Sequence, residues 1–542
     1  MKKKYVRWTL WTIASPFILF IILCILIYLP PIQNFLVDKA AVYASEATGM
    51  NISVGRISLS FPLNLVVTNV DAASPHNDTL LSVRRLQVNV QLLPLLKKQV
   101  EVDGISLQGA TVNSNDLIHG MKLNGTLGEL FISSHGVALD PETAIVNKVL
   151  LKDTDLSLCL NDTAAADTAA SDTAYWKIIL QDIDLQNVSF ALDMPLDSLS
   201  LAASLDNAIL RDGLIDLHKS AYSLQTFRIE NGRVRYDNGK PLAADSLSSG
   251  LDPSHIALTD IGVKLDSLYY GGRNMKAIIS QFVLKERSGV EIVSATGRMV
   301  SNDKVLRVPS LKLETRDSYL ELNAAMDWNA LDFKDEGLVS ARLMADIGKP
   351  DVVRFMGSMD EKFIRQYPSE PLRIRTGIDG DLNKLKLTTL TAELPGALGL
   401  FARGELTHLT DSLLRGGDIT LEAETKDLKF VSTLAEGIEI PYGTRLEGKF
   451  TMAGTKMGTD LLLMQPEAQA VVAADTIPIT VYNDSISVAD DFKMERAARL
   501  FAKYDLSRDR YEADLAVNHF DLHQFMPADS LYTLSTRLKV EG

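Results

Sequence analysis

Cysteine is almost absent: the 542 residues hold two, Cys24 and Cys159. Cys24 lies inside a long apolar run and Cys159 far outside it, so the two cannot pair across a membrane, and no internal disulfide framework exists. An exported chain of this size without disulfides suits a bacterial periplasm better than a eukaryotic cell surface. Basic residues are also in deficit. Lys and Arg number 55 against 69 Asp and Glu, a formal net charge of −14, which argues against a nucleic-acid-binding body. Catalytic motifs are missing as well: there is no G-x-S-x-G elbow, no H-E-x-x-H pair and no G-x-G-x-x-G after a strand pattern.

Two near-motifs do not change this. Gly443-Thr-Arg-Leu-Glu-Gly448-Lys449-Phe450 almost spells a phosphate-binding loop. It ends in Phe where Ser or Thr should reach Mg²⁺, and strand alternation surrounds it. His519 and His523 are four apart with Asp521 between them, but they straddle a strand–helix junction and do not share one helical face. A glycosidase could still hide two carboxylates among the many Asp and Glu residues, because their spacing is spatial. No cofactor, metal or catalytic set follows, and the expectation is a protein that is not an enzyme.

What the chain does have is one long hydrophobic run. Trp8–Leu29, WTLWTIASPFILFIILCILIYL, has no charge and includes Phe17 and Phe20. As a helix it spans roughly 33 Å, enough for a hydrocarbon core of about 30 Å. Lys2, Lys3, Lys4 and Arg7 precede it, and the first charges after it are Asp38 and Lys39. The positive-inside rule puts the N-terminus in the cytoplasm and the body across the membrane. Trp8, Trp11 and Tyr28 sit near the ends, where amphipathic rings favour the interfaces. A cleaved signal peptide is the competing reading. Its apolar region is shorter, about 7–15 residues, and a small-residue cleavage site follows closely. Pro30-Pro31-Ile32-Gln33-Asn34-Phe35 offers none, so a retained anchor over residues 1–30 is expected.

Residues 31–160 form the next region. Ile32, Phe35, Leu36, Ala40, Tyr43 and Ala47 recur at helical spacing and Gly49 follows as a stop, which predicts an amphipathic helix from Pro31 to about Thr48. From Asn51 the period becomes two. The clearest strand is Arg85–Leu92, where Leu86, Val88, Val90 and Leu92 alternate with polar residues. Ile105/Leu107, Ile183/Leu185, Phe227/Ile229, Leu311/Leu313, Leu320/Leu322 and Ile419/Leu421/Ala423 repeat the pattern. Helical patterns are few, for instance around Asp490–Lys503. The fold class expected is mainly β. Residues 161–174 contain the low-complexity run NDTAAADTAASDT, either a linker or an insertion between two strands of one sheet.

Residues 175–542 carry a diffuse repeat: a strand, an Asp opening a short helical turn, then another strand. The instances are Asp351 with Val352 and Phe355, Asp427 with Leu428 and Val431, and Asp521 with Leu522 and Phe525. Asp suits an N-cap because its carboxylate accepts from orphan N–H groups. Leu372–Arg375, Arg445–Phe450 and Arg537–Val540 are the strands that follow. Stacked units of this kind predict an elongated, repetitive β body. The pattern stops mid-unit at Gly542, which leads us to expect the N-terminal part of a longer protein.

The order of features over the first ~115 residues resembles the AsmA-like superfamily, and within it the TamB branch of translocation and assembly modules. The matching elements are the signal anchor, the amphipathic helix ending in Ala47-Thr48-Gly49, and Ile52-Ser53-Val54-Gly55-Arg56-Ile57-Ser58-Leu59. Phe61-Pro62-Leu63-Asn64-Leu65 leading into Val66–Val70, then Leu86–Leu92, then Val100-Glu101-Val102-Asp103-Gly104-Ile105-Ser106-Leu107 complete the match. Beyond that only the pattern of short strands and Asp/Asn/Gly turns is shared.

The resemblance implies a bacterial inner-membrane protein that crosses the periplasm as a long, curled, antiparallel-rich β-sheet. One face would form a hydrophobic groove conducting phospholipid acyl chains between the inner and outer membranes, a step in envelope biogenesis. Candidate groove residues are Leu86, Val88, Val90, Leu92, Ile105, Leu107, Ile183, Leu185, Leu311 and Leu313. The family is also linked to outer-membrane protein assembly and secretion through a barrel partner, which its far C-terminus contacts and this sequence lacks. The same alternation would equally build a packed sandwich core. A lipid-conducting groove, a periplasmic scaffold that engages nascent outer-membrane proteins by strand addition, and an anchored hydrolase are the three functional classes to separate.

Overall fold

The computed structural model describes residues 49–542 together with Lys39, Ala41, Val42 and Ser45, apart from residues 61–63, 75–78, 92–101, 115–119, 139–141, 162–175, 241–249, 333–335, 357–359, 435–437, 467–495 and 528–531. The anchor expected over Trp8–Leu29, with Trp8, Trp11, Phe17, Phe20 and Tyr28, lies outside the described residues. So does most of the amphipathic segment, of which Lys39, Ala41, Val42 and Ser45 are helical. Among the described residues no helix is long and apolar enough to cross a membrane. The described chain is mainly β and antiparallel-rich.

By its contacts the chain forms two units. The first comprises residues to Leu242 with Pro253–Gly272, and the second Ala243–Asp252 with Arg273–Gly542. In the first unit the strands are β1 (Asn51–Ser60), β2 (Asn64–Ala73), β3 (Thr79–Val90), β4 (Val102–Asn113), β5 (Met121–Ala138) and β6 (Thr143–Leu160). They continue as β7 (Lys177–Met194), β8 (Leu199–Asp216), β9 (Ala221–Leu224), β10 (Thr226–Asp237) and β11 (His255–Gly271). Each of β1 to β8 pairs with the next. The short β9 and the longer β10 lie end to end between β8 and β11. All these pairs are antiparallel except β6 with β7, which run parallel with Thr143 opposite Lys177. The low-complexity stretch therefore joins two neighbouring strands of one sheet.

The second unit is an antiparallel meander in sequence order. Its first half is β12 (Asn274–Glu286), β13 (Glu291–Ser301), β14 (Val305–Thr315), β15 (Tyr319–Asp327), β16 (Leu338–Ile347), β17 (Leu372–Asp381) and β18 (Lys384–Leu394). Its second half is β19 (Leu398–Thr407), β20 (Gly416–Thr425), β21 (Arg445–Ala453), β22 (Lys456–Met464), β23 (Ala497–Asp505), β24 (Arg510–Asp521) and β25 (Thr533–Glu541). Among the described residues three short helices punctuate it: α1 (Trp328–Leu331), α2 (Lys349–Met356) and α3 (Glu361–Gln366).

Two expectations are corrected here. The helical pattern around Asp490–Lys503 gives way, where described, to strand β23. Arg499 faces Asp460 of β22 with Nε to Oδ1 at 2.8 Å and Nη2 to Oδ2 at 2.6 Å, and both edges of the strand are paired. Cross-strand pairing has overridden local spacing. Asp351 is also no cap. It sits within α2 at 1% exposure, accepting from Ser318 Oγ at 2.6 Å, from Thr315 Oγ1 and from Arg354 Nη1 at 3.0 Å. It clamps α2 to the β14–β15 turn. Asp521 caps its 3₁₀ turn as expected, accepting from the His523 amide, whereas Asp427 stands one residue before the capping position, Leu428, of its turn and accepts from the Lys429 amide.

Candidate functional site

Alternation fixes which residues share a face, and register fixes which of them touch across strands. In the first unit the two combine into unbroken apolar rows. One row begins Leu59, Leu65, Val88, Ile105, Ile132, each directly opposite the next. It continues through Val149, Ile183, Leu210 and Phe227 to Leu265. A second row beside it begins Ile57, Val67, Leu86, Leu107, Leu130. Leu151, Leu185, Ala208, Ile229 and Val263 complete it. Ten strands contribute to each. Nine steps at ~4.8 Å make a face of roughly 43 Å across the strands.

Six of the candidate residues meet on this face: Leu86 opposite Leu107, Val88 opposite Ile105, and Ile183 and Leu185 in the same two rows. Val90 follows on β3 but pairs with Val102 beyond a register shift. Leu92 lies outside the described residues. Leu311 and Leu313 belong to the second unit, opposite Leu322 and Leu320. There Leu313 enters a row in which large and small residues alternate, Leu320 facing Ala345, Ile374 facing Ala392 and Leu400 facing Ala423, while Leu311 leads through Leu322 to Leu343 in the neighbouring row.

Among the described residues no second layer covers the first unit's apolar face. Among the described residues, every extensive strand–strand contact is between hydrogen-bonded neighbours. Both clusters of fully buried apolar side chains lie in the second unit. One, with Phe363, Tyr367 and Phe430, fills the end of the strands where α3 meets the 3₁₀ turn Lys429–Thr433. The other joins Ala330 of α1 to Val339 and Leu382. Among the described residues of the first unit no sandwich core, which the same alternation could have built, is formed.

On β6 to β8 the opposite face carries an ionic cluster. Arg211 on β8 pairs with Asp184 at 2.8 Å and with Asp182, both on β7, and Lys148 on β6 approaches Asp184 at 3.9 Å.

Sequence reasoning missed how that apolar face stays in phase. At one level across the strands the alternation slips, so that residues of the apolar face are separated by three positions: Val67/Val70, Leu107/Ala110, Leu127/Leu130, Leu151/Thr154, Leu185/Val188, Leu205/Ala208; β6 to β8 slip a second time, at Asn147, Gln181 and the left-handed Asp212. In a regular strand such a spacing would put the two residues on opposite faces. Between them stand left-handed residues on five strands, Asn69, Gly109, Asp153, Asn187 and Asn231, with φ between 49° and 62°. Each rotates its strand by the missing step, and the slips line up across the sheet as a transverse seam. Beyond the seam the rows resume, with Val70, Val83, Ala110, Leu127, Thr154 and Val188 facing one another in turn. The signal was present as a recurring apolar-x-[Gly/Asn/Asp]-apolar tetrad.

The near-motifs find no support in geometry. Arg445–Phe450 is the first part of strand β21, not a strand-to-helix loop. His519 lies on β24, and His523 stacks on Tyr532 with ring centroids 5.2 Å apart. Among the described residues no group of three or more His, Cys, Asp or Glu is placed to hold a metal.

No protein-family model matches the chain, and no curated protein matches it either.

Proposed function

We propose that this chain is an inner-membrane-anchored periplasmic protein of the AsmA/TamB type, whose apolar sheet face carries phospholipid acyl chains between membranes. The observation that supports the reading is the pair of apolar rows crossing ten strands, with no layer over them among the described residues. Uncovered faces of this extent on a soluble body mark interaction sites. Each CH₂ withdrawn from water onto such a face is worth about 0.8 kcal/mol. The ion pairs of β6 to β8 keep the opposite face wet there. The proposal assigns no catalytic step.

Native mass spectrometry of the full chain, with lipid extraction, tests it. Wild type should carry phospholipid, and Val88→Asp or Leu107→Asp should lower the bound lipid at least tenfold at an unchanged unfolding midpoint. Lipid held only by an anchor would survive these substitutions, and that result would sink the reading. Photo-crosslinkers on the apolar rows that capture only polypeptide would put the scaffold reading in its place.

A further inference from the structure

At one end of the second unit three successive hairpins turn side by side, β19–β20, β21–β22 and β23–β24. Hydrogen bonds tie their turns into one crest. The Gly454 amide donates to the Arg415 carbonyl at 2.7 Å, and Arg415 Nε donates back to the Gly454 carbonyl at 2.8 Å. On the other side the Leu506 amide donates to the Thr455 carbonyl at 2.9 Å, and Thr455 Oγ1 donates to Asp505 at 3.0 Å. Gly454 has a φ of 59°, and a Cβ there would stand 3.0 Å from the Leu413 carbonyl oxygen. Glycine is what lets the first two turns meet.

This crest presents large apolar side chains to solvent. Leu413 and Leu414 are 76% and 65% exposed, and Leu413 is the most exposed large apolar side chain among the described residues. Their turn is fixed from behind by Asp411, whose Oδ1 accepts from both leucine amides, at 2.8 and 3.2 Å. Leu506, on the third turn, is 47% exposed. Below the turns Met457, Tyr504 and Tyr511 lie opposite one another on β22, β23 and β24, all exposed. Apolar tips above amphipathic rings follow the polarity profile of a bilayer surface, where tyrosine favours the headgroup level.

Charge points to the same partner. Across the three turns and their flanking residues the cations are Arg415, Lys456, Arg508 and Arg510, against Asp411, Asp505 and Asp509, in a chain of net charge −14. The carboxylates are engaged within the crest: Asp411 by the leucine amides, Asp505 by the Ser507 amide and hydroxyl, and Asp509 by the Tyr504 hydroxyl. Long cationic side chains beside an apolar tip reach outward to anionic headgroups.

We propose that this crest docks on an anionic bilayer surface, with Leu413, Leu414 and Leu506 between the headgroups and Lys456, Arg508 and Arg510 against lipid phosphates. It is a membrane contact additional to the anchor expected at the N-terminus and to the apolar face of the first unit. The tied turns bring the leucines preformed, so little ordering opposes insertion.

The test uses the full chain reconstituted in vesicles of phosphatidylethanolamine and phosphatidylglycerol, with Cys24→Ser and Cys159→Ser as background. A nitroxide is attached at Ser412→Cys on the crest or at Lys429→Cys, in the exposed 3₁₀ turn at the other end of β20. The ratio of oxygen to nickel-chelate accessibility should be at least threefold higher at Ser412→Cys than at Lys429→Cys. Leu413→Asp with Leu414→Asp should abolish that difference, and Arg508→Glu with Arg510→Glu, or phosphatidylcholine vesicles, should lower it at least twofold. Val88→Asp, which strips lipid from the first unit's face, should leave it unchanged, so failure here and failure of the lipid-carrying reading are separate results. Equal ratios at the two sites would overturn the docking. A difference that ignores both Arg508→Glu with Arg510→Glu and phosphatidylglycerol would overturn the anionic surface as partner. Dipolar broadening between labels at Ser412→Cys would place a second copy of the chain on the crest and overturn it equally.

Discussion

Asn187 donates from Nδ2 to Oδ1 of Asp153 at 2.9 Å across the parallel pair β6–β7, and both residues are left-handed, with φ of 52° and 49°. Short polar side chains tolerate this conformation because they bond locally, whereas a branched residue clashes with its own backbone. The same two residues thus turn their strands and satisfy each other.

Substitution at Asn187 separates the two roles. Asn187→Gly keeps the backbone and loses the bond, and should stay within about 1 kcal/mol of wild type. Asn187→Val loses both and should cost about 1–3 kcal/mol. Urea unfolding of the two variants measures the difference; equal losses would mean that the seam holds no backbone strain.

Gly128 faces the same seam from β5. A Cβ built there would stand 2.8 Å from the Asp153 Cβ and 2.9 Å from its carbonyl. The neighbour is backbone, which cannot swing away, so Gly128→Ala should destabilise by roughly 1–3 kcal/mol. A thermal melt that leaves the midpoint in place would show that the strands can separate locally.

The first unit was legible where its rules are local. Leu86, Val88, Ile105 and Leu107 alternate plainly, and register then brought them together on one face. The seam was not read because it breaks the period-two rule that found the strands. A three-residue gap such as Leu151/Thr154 looks like the end of one strand and the start of the next. Strand β23 was misread for a related reason. Ala497, Ala498, Leu500 and Ala502 satisfy a helical spacing, and only the partners Asp460 and Asp514 on neighbouring strands, far away in sequence, decide otherwise. Asp351 matched a cap because nothing in its own segment reveals Thr315 and Ser318, more than thirty residues away.

Asp351 makes a sharp stability test. Asp351→Ala would leave Arg354 without its 3.0 Å partner in α2 and strand the Ser318 and Thr315 hydroxyls. Arg354 keeps Asp317 at 3.0 Å, so the loss comes from the stranded hydroxyls and the emptied site, about 1–3 kcal/mol. Asp351→Asn keeps the shape and some of the bonds and should lose less. Guanidinium unfolding of both variants checks the order, and an Asn variant as weak as Ala would mean that charge alone matters.

Packing at the rim of the second unit gives an independent magnitude. Phe363 is 2% exposed, with its ring 5.6 Å from Tyr367 and 5.7 Å from Phe430. Phe363→Ala removes the centre of that cluster and should cost about 3–5 kcal/mol. Near-ultraviolet circular dichroism should lose aromatic signal in parallel. A small loss with the signal intact would show that the rim repacks around the gap.

The last prediction concerns acid. Asp460 and Asp514 each face an arginine on the next strand, Arg499 and Arg537, through two hydrogen bonds. Hydrogen bonding to the guanidinium holds both carboxyls below the ordinary value of 3.8, against the opposing pull of desolvation. A carboxyl whose folded pKa is lowered stabilises the fold fully above its unfolded pKa and loses that contribution as pH falls through the folded value. The second unit should therefore unfold at lower urea at pH 3 than at pH 6. In Asp460→Asn the carboxyl no longer titrates, so the drop between those two pH values should shrink while stability at pH 6 falls. A variant whose pH profile keeps the full wild-type slope would show that the β22–β23 pair contributes nothing to acid sensitivity and that the loss lies with other carboxylates.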